Sequence, residues 1–230
     1  MNQFVLAFPI PVAVDEPFAI TETVQVDADT KTLMIPGCSV QFNVVRQGAS
    51  ADLLEIFKER NDLTEDEEKA IAAHKSLLFL LGNVKTMDDV EMVNSAISKM
   101  FAAGAIGVYM QQSGTAWTAK AFEEQFGDCE YPMDAWINII EGEDEKSLYT
   151  LGLAVFTLPD LCISTSIEDP EEALLMAADS LFGDGIPAKS GSVIDWGEGE
   201  KYVLRQELKG LFSKDAPEYN KQGVLRIVKK

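Results

Sequence analysis

The 230 residues carry 38 acidic side chains against 19 basic ones, a formal charge of −19, with one histidine and three cysteines. Charged residues at 25% and apolar ones at 47% exclude a disordered or low-complexity chain, and the length suits one large domain with a real core. A single histidine excludes multi-histidine metal sites, and a pI near 4.3 argues against a nucleic-acid binder, because phosphate contacts need a cationic footprint.

The chain opens Met1-Asn2-Gln3-Phe4-Val5-Leu6 without a basic stretch, and the apolar run that follows is short and interrupted by Pro9 and Pro11. A secretory signal is not expected there, and no stretch reaches the roughly 18 apolar residues of a membrane span. Residues 1–47 read as strand-rich. Segments 23–26 and 32–35 flank Asp27-Ala28-Asp29-Thr30-Lys31 as a hairpin, and Val40, Phe42 and Val44 alternate as along a half-buried strand.

From residue 48 onward helix and strand alternate. Ser50 is placed to cap a helix over 51–60, with Leu53, Leu54, Ile56 and Phe57 as its apolar positions. Thr64-Glu65-Asp66-Glu67 is a capping box for a second short helix ending near His74. The run 76–81, closed by Gly82, resembles a strand covered on both faces. Val90, Val93, Ile97, Met100 and Phe101 recur at helical spacing before Gly104, and 105–110 is the next strand. This β-α-β succession predicts parallel pairing through a right-handed crossover. A short helix over 119–126, strands over 135–140 and 149–156, and a brief strand over 161–164 follow. Asp169 as N-cap, Pro170 at the first helical position and Gly183 as stop delimit the best-signalled helix. Strands over 193–196, 202–206 and 225–228 complete an α+β chain, read as a single domain in which helices pack against one mixed β-sheet.

Three cysteines, Cys38, Cys129 and Cys162, lie far apart and outside any Cys-x-x-Cys spacing, so they read as buried thiols of a reducing, cytoplasmic compartment. His74 is the natural suspect for acid–base work, yet a helix C-terminus favours a histidine without any catalytic role. No Gly-x-Ser-x-Gly elbow accompanies it. Asp27 and Asp29 begin an EF-hand-like spacing that Lys31 breaks, and the acidic loop 141–145 reads as a solvated charge run. Gly183-Asp184-Gly185 follows a helix rather than opening one, which is wrong for a phosphate loop. Trp117, placed in a loop after a strand, and Trp196, at a strand end beside Asp195, remain as anchors for a partner.

The order of segments also carries a resemblance. His74-Lys75 before an apolar strand, Gly104-Ala105-Ile106-Gly107-Val108-Tyr109, the stretch Thr150-Leu151-Gly152-Leu153-Ala154-Val155-Phe156-Thr157-Leu158-Pro159-Asp160-Leu161, and Gly183-Asp184-Gly185 resemble an uncharacterised bacterial family known as a domain of unknown function. The likeness spans roughly residues 70–200, and its motifs are glycines, aromatics and turn prolines. Where that family usually shows a glutamate after the proline, this chain has Asp160. The family carries no established activity, so the resemblance transfers no catalytic residue. A looser likeness is to suppressor-of-fused-type interaction domains, which also occur among bacterial immunity proteins.

The resulting expectation is a cytoplasmic, non-enzymatic binding or regulatory protein, immunity-like in one version, whose negative field draws a basic protein partner and repels nucleic acid. The rival is a small-molecule enzyme or ligand binder with its site at strand ends near His74 and Trp117; a blander third reading is a structural or oligomeric module. Candidate binding residues are His74, Tyr109, Trp117, Asp195 and Trp196. No catalytic residue, metal ligand, cofactor or membrane partner is assigned.

Overall fold

Phe4, Leu6, Phe8 and Ile10 fall on every second position of the first strand, β1 (Phe4–Ile10), and all four are buried. Pro9 and Pro11 obscure that alternation in the sequence. Pro9 is accommodated because it lies beyond the last β1–β6 pair, while its carbonyl still accepts the Ile106 N–H at 2.9 Å. In this computed structural model all residues are described except 1–2, 19–24, 28–31, 35–37, 128–130, 144, 197–199, 209 and 217; for 25–27 and 32–34 only the backbone is described. The tip of the expected 27–31 hairpin, Cys129 and Gly197-Glu198-Gly199 therefore lie outside the described residues.

The α+β class holds, but two sheets stand where one mixed sheet is expected. The chain divides into two compact units, one formed by residues 3–135 and the other by 136–230. The first unit holds a seven-stranded sheet in the order β2 (Gln25–Asp27), β3 (Thr32–Met34), β4 (Phe42–Gly48), β5 (Ser76–Gly82), β1, β6 (Gly107–Met110), β7 (Thr115–Thr118), antiparallel at every pair. The expected parallel β5–β6 pair is thus corrected: β1 inserts between them and pairs antiparallel with both. Local sequence cannot reveal that insertion, because the intervening strand comes from the far N-terminus.

One face of this sheet carries Phe4, Phe8, Phe42, Leu78, Leu80 and Val108. Helix α3 (Met87–Ala102) and helix α4 (Ala119–Phe126) bear on it through a run of ring contacts, edge-on at Phe8–Phe101 and Phe101–Phe122 and tilted at Phe122–Phe126. On the opposite face α1 (Leu53–Lys58) and α2 (Glu65–Ala72) enclose Leu53, Phe57, Ile71, Leu77 and Ala116. Helix α1 is shorter than expected and starts after Asp52 without a side-chain cap, whereas Thr64 and Glu67 form the full capping box on α2.

The second unit holds a six-stranded sheet in the order β11 (Val193–Asp195), β12 (Lys201–Glu207), β13 (Val224–Lys229), β10 (Asp160–Ser164), β9 (Ser147–Leu151), β8 (Asn138–Glu141). Here β10 and β13 are parallel and the remaining pairs antiparallel. Tyr202, Leu204, Leu161, Ile163, Leu225 and Ile227 share the face toward α5 (Pro170–Phe182), whose buried stripe is Ala173, Leu174, Ala177, Ala178 and Leu181. Two expected strand segments are corrected to tight 3-10 turns, Asp134–Trp136 and Leu153–Phe156; the second lies between left-handed Gly152 and Thr157. Its turn ends at Pro159 and delivers Asp160 to the start of β10.

Candidate functional site

The β11–β12 hairpin sets two aromatic rings against each other. Ile194 pairs with Tyr202 and the Trp196 N–H donates to the Glu200 carbonyl at 3.1 Å, so Trp196, Glu200 and Tyr202 fall on one face of the hairpin. The Trp196 and Tyr202 ring centroids are 4.0 Å apart. Tyr202 is buried and Trp196 half-buried. The Trp196 indole Nε1 is itself enclosed and makes no hydrogen bond among the described residues, a donor left available in a place where donors are normally paired.

These rings line a cleft of about 450 Å³ whose other wall is the entry to α5. Among the described residues, four carboxylates border it: Glu168, Asp169, Glu172 and Glu200. Asp169 has φ 45° and ψ 57°, a left-handed conformation that aspartate tolerates better than most residues and that turns the chain into the helix. Glu171 and Glu172 in the first helical turn offset the positive end of the helix dipole. Across the cleft, Lys229 Nζ binds Glu200 Oε1 and lies 5.9 Å from the centre of the Tyr202 ring. The lysine holds the Glu200 carboxyl below its usual range, while burial pushes the Tyr202 phenol up. Among the described residues, the half-buried Trp196 ring and three carboxylates not bridged to Lys229, those of Glu168, Asp169 and Glu172, make the arrangement suited to a cation.

The other sequence candidates are dispersed. His74 is buried, with Nδ1 2.6 Å from the Ile71 carbonyl and Nε2 accepting the Ser50 N–H at 3.1 Å, so both ring nitrogens serve the fold. Trp117 is a β7 residue rather than a loop residue; its Nε1 donates to the Ala135 carbonyl at 2.9 Å and its ring meets Phe126. Tyr109 and Trp117 belong to opposite faces of the first sheet, since Tyr109 pairs with Ala116 and Trp117 with Val108. Tyr109 borders an apolar groove beside α1, on the sheet face opposite Trp117. Asp195 adjoins Trp196 on the other hairpin face and pairs with Lys201 Nζ at 2.7 Å.

Sequence reasoning therefore finds Trp196 but misses Tyr202, Glu168, Asp169, Glu172 and Glu200. The available signal is the hairpin itself: once 193–196 and 202–206 are paired about a Gly-Glu-Gly tip, positions 196 and 202 become diagonal neighbours. Glu168 and Asp169 cannot be placed this way, because α5 reaches the hairpin only through tertiary packing. Among the described residues no three His, Cys, Asp or Glu side chains converge as a metal site. Comparison with protein-family models, curated proteins and solved structures finds no match for this chain.

Proposed function

We propose that this is a non-enzymatic binding or regulatory protein that docks a basic segment of a partner protein in the Trp196–Tyr202 cleft, with an immunity-like role against a cationic protein as its concrete version. The observation that carries the reading is the close, tilted aromatic pair bordered by Glu168, Asp169, Glu172 and Glu200. A lysine or arginine side chain entering the cleft gains a ring face and a carboxylate together, and arginine adds a planar stack. The formal charge of −19 extends the attraction beyond the cleft and disfavours nucleic acid. No helix among the described residues is long and apolar enough to cross a membrane. The buried thiols Cys38 and Cys162 support a reducing, cytoplasmic setting. The resemblance to a bacterial domain of unknown function is part of this proposal and contributes no residue role.

The test is a calorimetric titration with a nonapeptide of alternating arginine and glycine, and with its glutamate counterpart as control. Binding of the arginine peptide is expected to weaken about tenfold between about 50 and 300 mM salt, and Trp196→Ala to weaken it by a similar factor. Equal binding of both peptides, or an unchanged affinity in Trp196→Ala, overturns the reading.

A further inference from the structure

The strands that present the aromatic cleft at one end build a second cavity at the other, roughly 20 Å away along β12 by strand rise. There β9 and β12 finish while β10 and β13 begin: Leu151, Asp160, Glu207 and Val224 meet in one row of the sheet. The chain between β12 and β13 folds over this row through Leu211, Phe212 and Tyr219, enclosing about 430 Å³, a volume typical of small-molecule sites.

Asp160 is 5% exposed and lines this cavity. Its backbone is fixed, with its N–H donating to the Gly223 carbonyl at 3.0 Å. The Asn220 side chain and the Leu153 backbone bond to its carboxyl group, yet Oδ1 makes no hydrogen bond among the described residues. Asn220 is itself held in place by two further bonds: Nδ2 donates to the Leu158 carbonyl and Oδ1 accepts from the Gln222 N–H, both at 2.9 Å. A buried acceptor without a donor costs free energy that a suitable ligand would recover.

We propose that this cavity is a small-molecule site for a primary amine on an apolar body, with the Asp160 carboxylate as counter-ion to the ammonium group. The side chains set the sign of the ligand charge. Among the described residues of the lining, Glu207 and Glu218 accompany Asp160 against Lys214. Arg226, the nearest cation on β13, is committed to Glu207 at 2.6 Å and to Ser147 Oγ at 3.3 Å. Leu151, Leu211, Phe212 and Val224 supply the apolar surface. The proposal is independent of the aromatic cleft.

Proton release accompanies binding. Burial raises the Asp160 pKa to about 7, so near neutral pH about half the molecules hold a proton that the ammonium group displaces. Among the described residues, the titratable and charged groups facing Asp160 are Tyr149 on β9, Glu207 on β12, Arg226 on β13, Lys214, Glu218 and Tyr219 on the covering segment, and Cys162 on its own strand.

Phenethylamine and its neutral counterpart 2-phenylethanol test the proposal on the full chain. Amide shifts under phenethylamine are expected at 149–151, 160 and 206–224, with affinity at least about tenfold above the alcohol, and calorimetry in two buffers should show release of about half a proton at pH 7. Asp160→Asn should abolish the amine preference while Phe212→Ala weakens both probes equally. Equal affinity for amine and alcohol in the unaltered protein, an unchanged preference in Asp160→Asn, or shifts confined to Trp196 and Tyr202 would overturn it.

Discussion

The Ser50 N–H donates to Nε2 of His74 at 3.1 Å, tying the chain entering α1 to the end of α2. Because that donor is a backbone amide, Nε2 must accept, and the ring proton resides on Nδ1 facing the Ile71 carbonyl. The lone histidine is thereby a two-ended strut. His74→Ala leaves the part-buried Ser50 amide without its acceptor and takes one of two donors from the Ile71 carbonyl, so a loss of about 1–3 kcal/mol in urea unfolding is expected. Arginine-peptide affinity should be unchanged, since His74 belongs to the first unit and the cleft to the second.

Asp169→Asn separates charge from backbone geometry at the cleft. Asparagine accepts the left-handed conformation as readily as aspartate, so stability by thermal unfolding should move by less than about 0.5 kcal/mol. The arginine peptide should bind about twofold more weakly at low salt, a difference that disappears near 1 M salt. A loss that persists at high salt would show that the carboxylate is not acting through charge.

Asp160 makes stability depend on pH in an unusual direction for a carboxylate. Its folded-state pKa of about 7 exceeds the ordinary 3.8, so the native state binds more protons between those values. The contribution is full below about pH 4 and is lost as pH rises through 7, by about 4 kcal/mol at most. Asp134, whose pKa burial raises to about 6, adds a term of the same sign over a narrower window. The difference in unfolding free energy between Asp160→Asn and the natural chain, measured at several pH values from 4 to 8, should grow in favour of the variant. A flat difference would count against the buried acid.

Gly107 is required by contact. A Cβ there would lie 2.7 Å from the Trp117 carbonyl oxygen and 2.7 Å from the Phe57 ring. Gly107→Ala should cost about 1–3 kcal/mol or more, because a backbone atom cannot swing aside. Gly82→Ala meets instead the Phe4 ring at 2.6 Å, so its cost should be recoverable in part by Phe4→Leu. Denaturation of the single and double variants measures both.

Much of the secondary structure was legible locally. The Thr64 capping box, the apolar stripe of α3, and Pro170 with Gly183 around α5 are short-range signals whose physics acts within a few residues, and the structure honours each. Elements of five or fewer residues were harder. Residues 153–156 share the apolar character of β9 yet curl into a 3-10 turn, since left-handed Gly152 and Thr157 redirect the backbone.

One histidine in 230 residues rules out a histidine cluster by count alone. Trp196 was visible as an anchor; its partner ring and its acids were not. Sequence fixes which side chains exist and their local period. Only tertiary structure decided that β1 divides β5 from β6, that α5 brings Glu168 and Asp169 to the hairpin, and that Asp160 is buried with one oxygen unmet. Those outcomes depend on contacts between distant segments, where desolvation and packing act on residues that no local pattern connects.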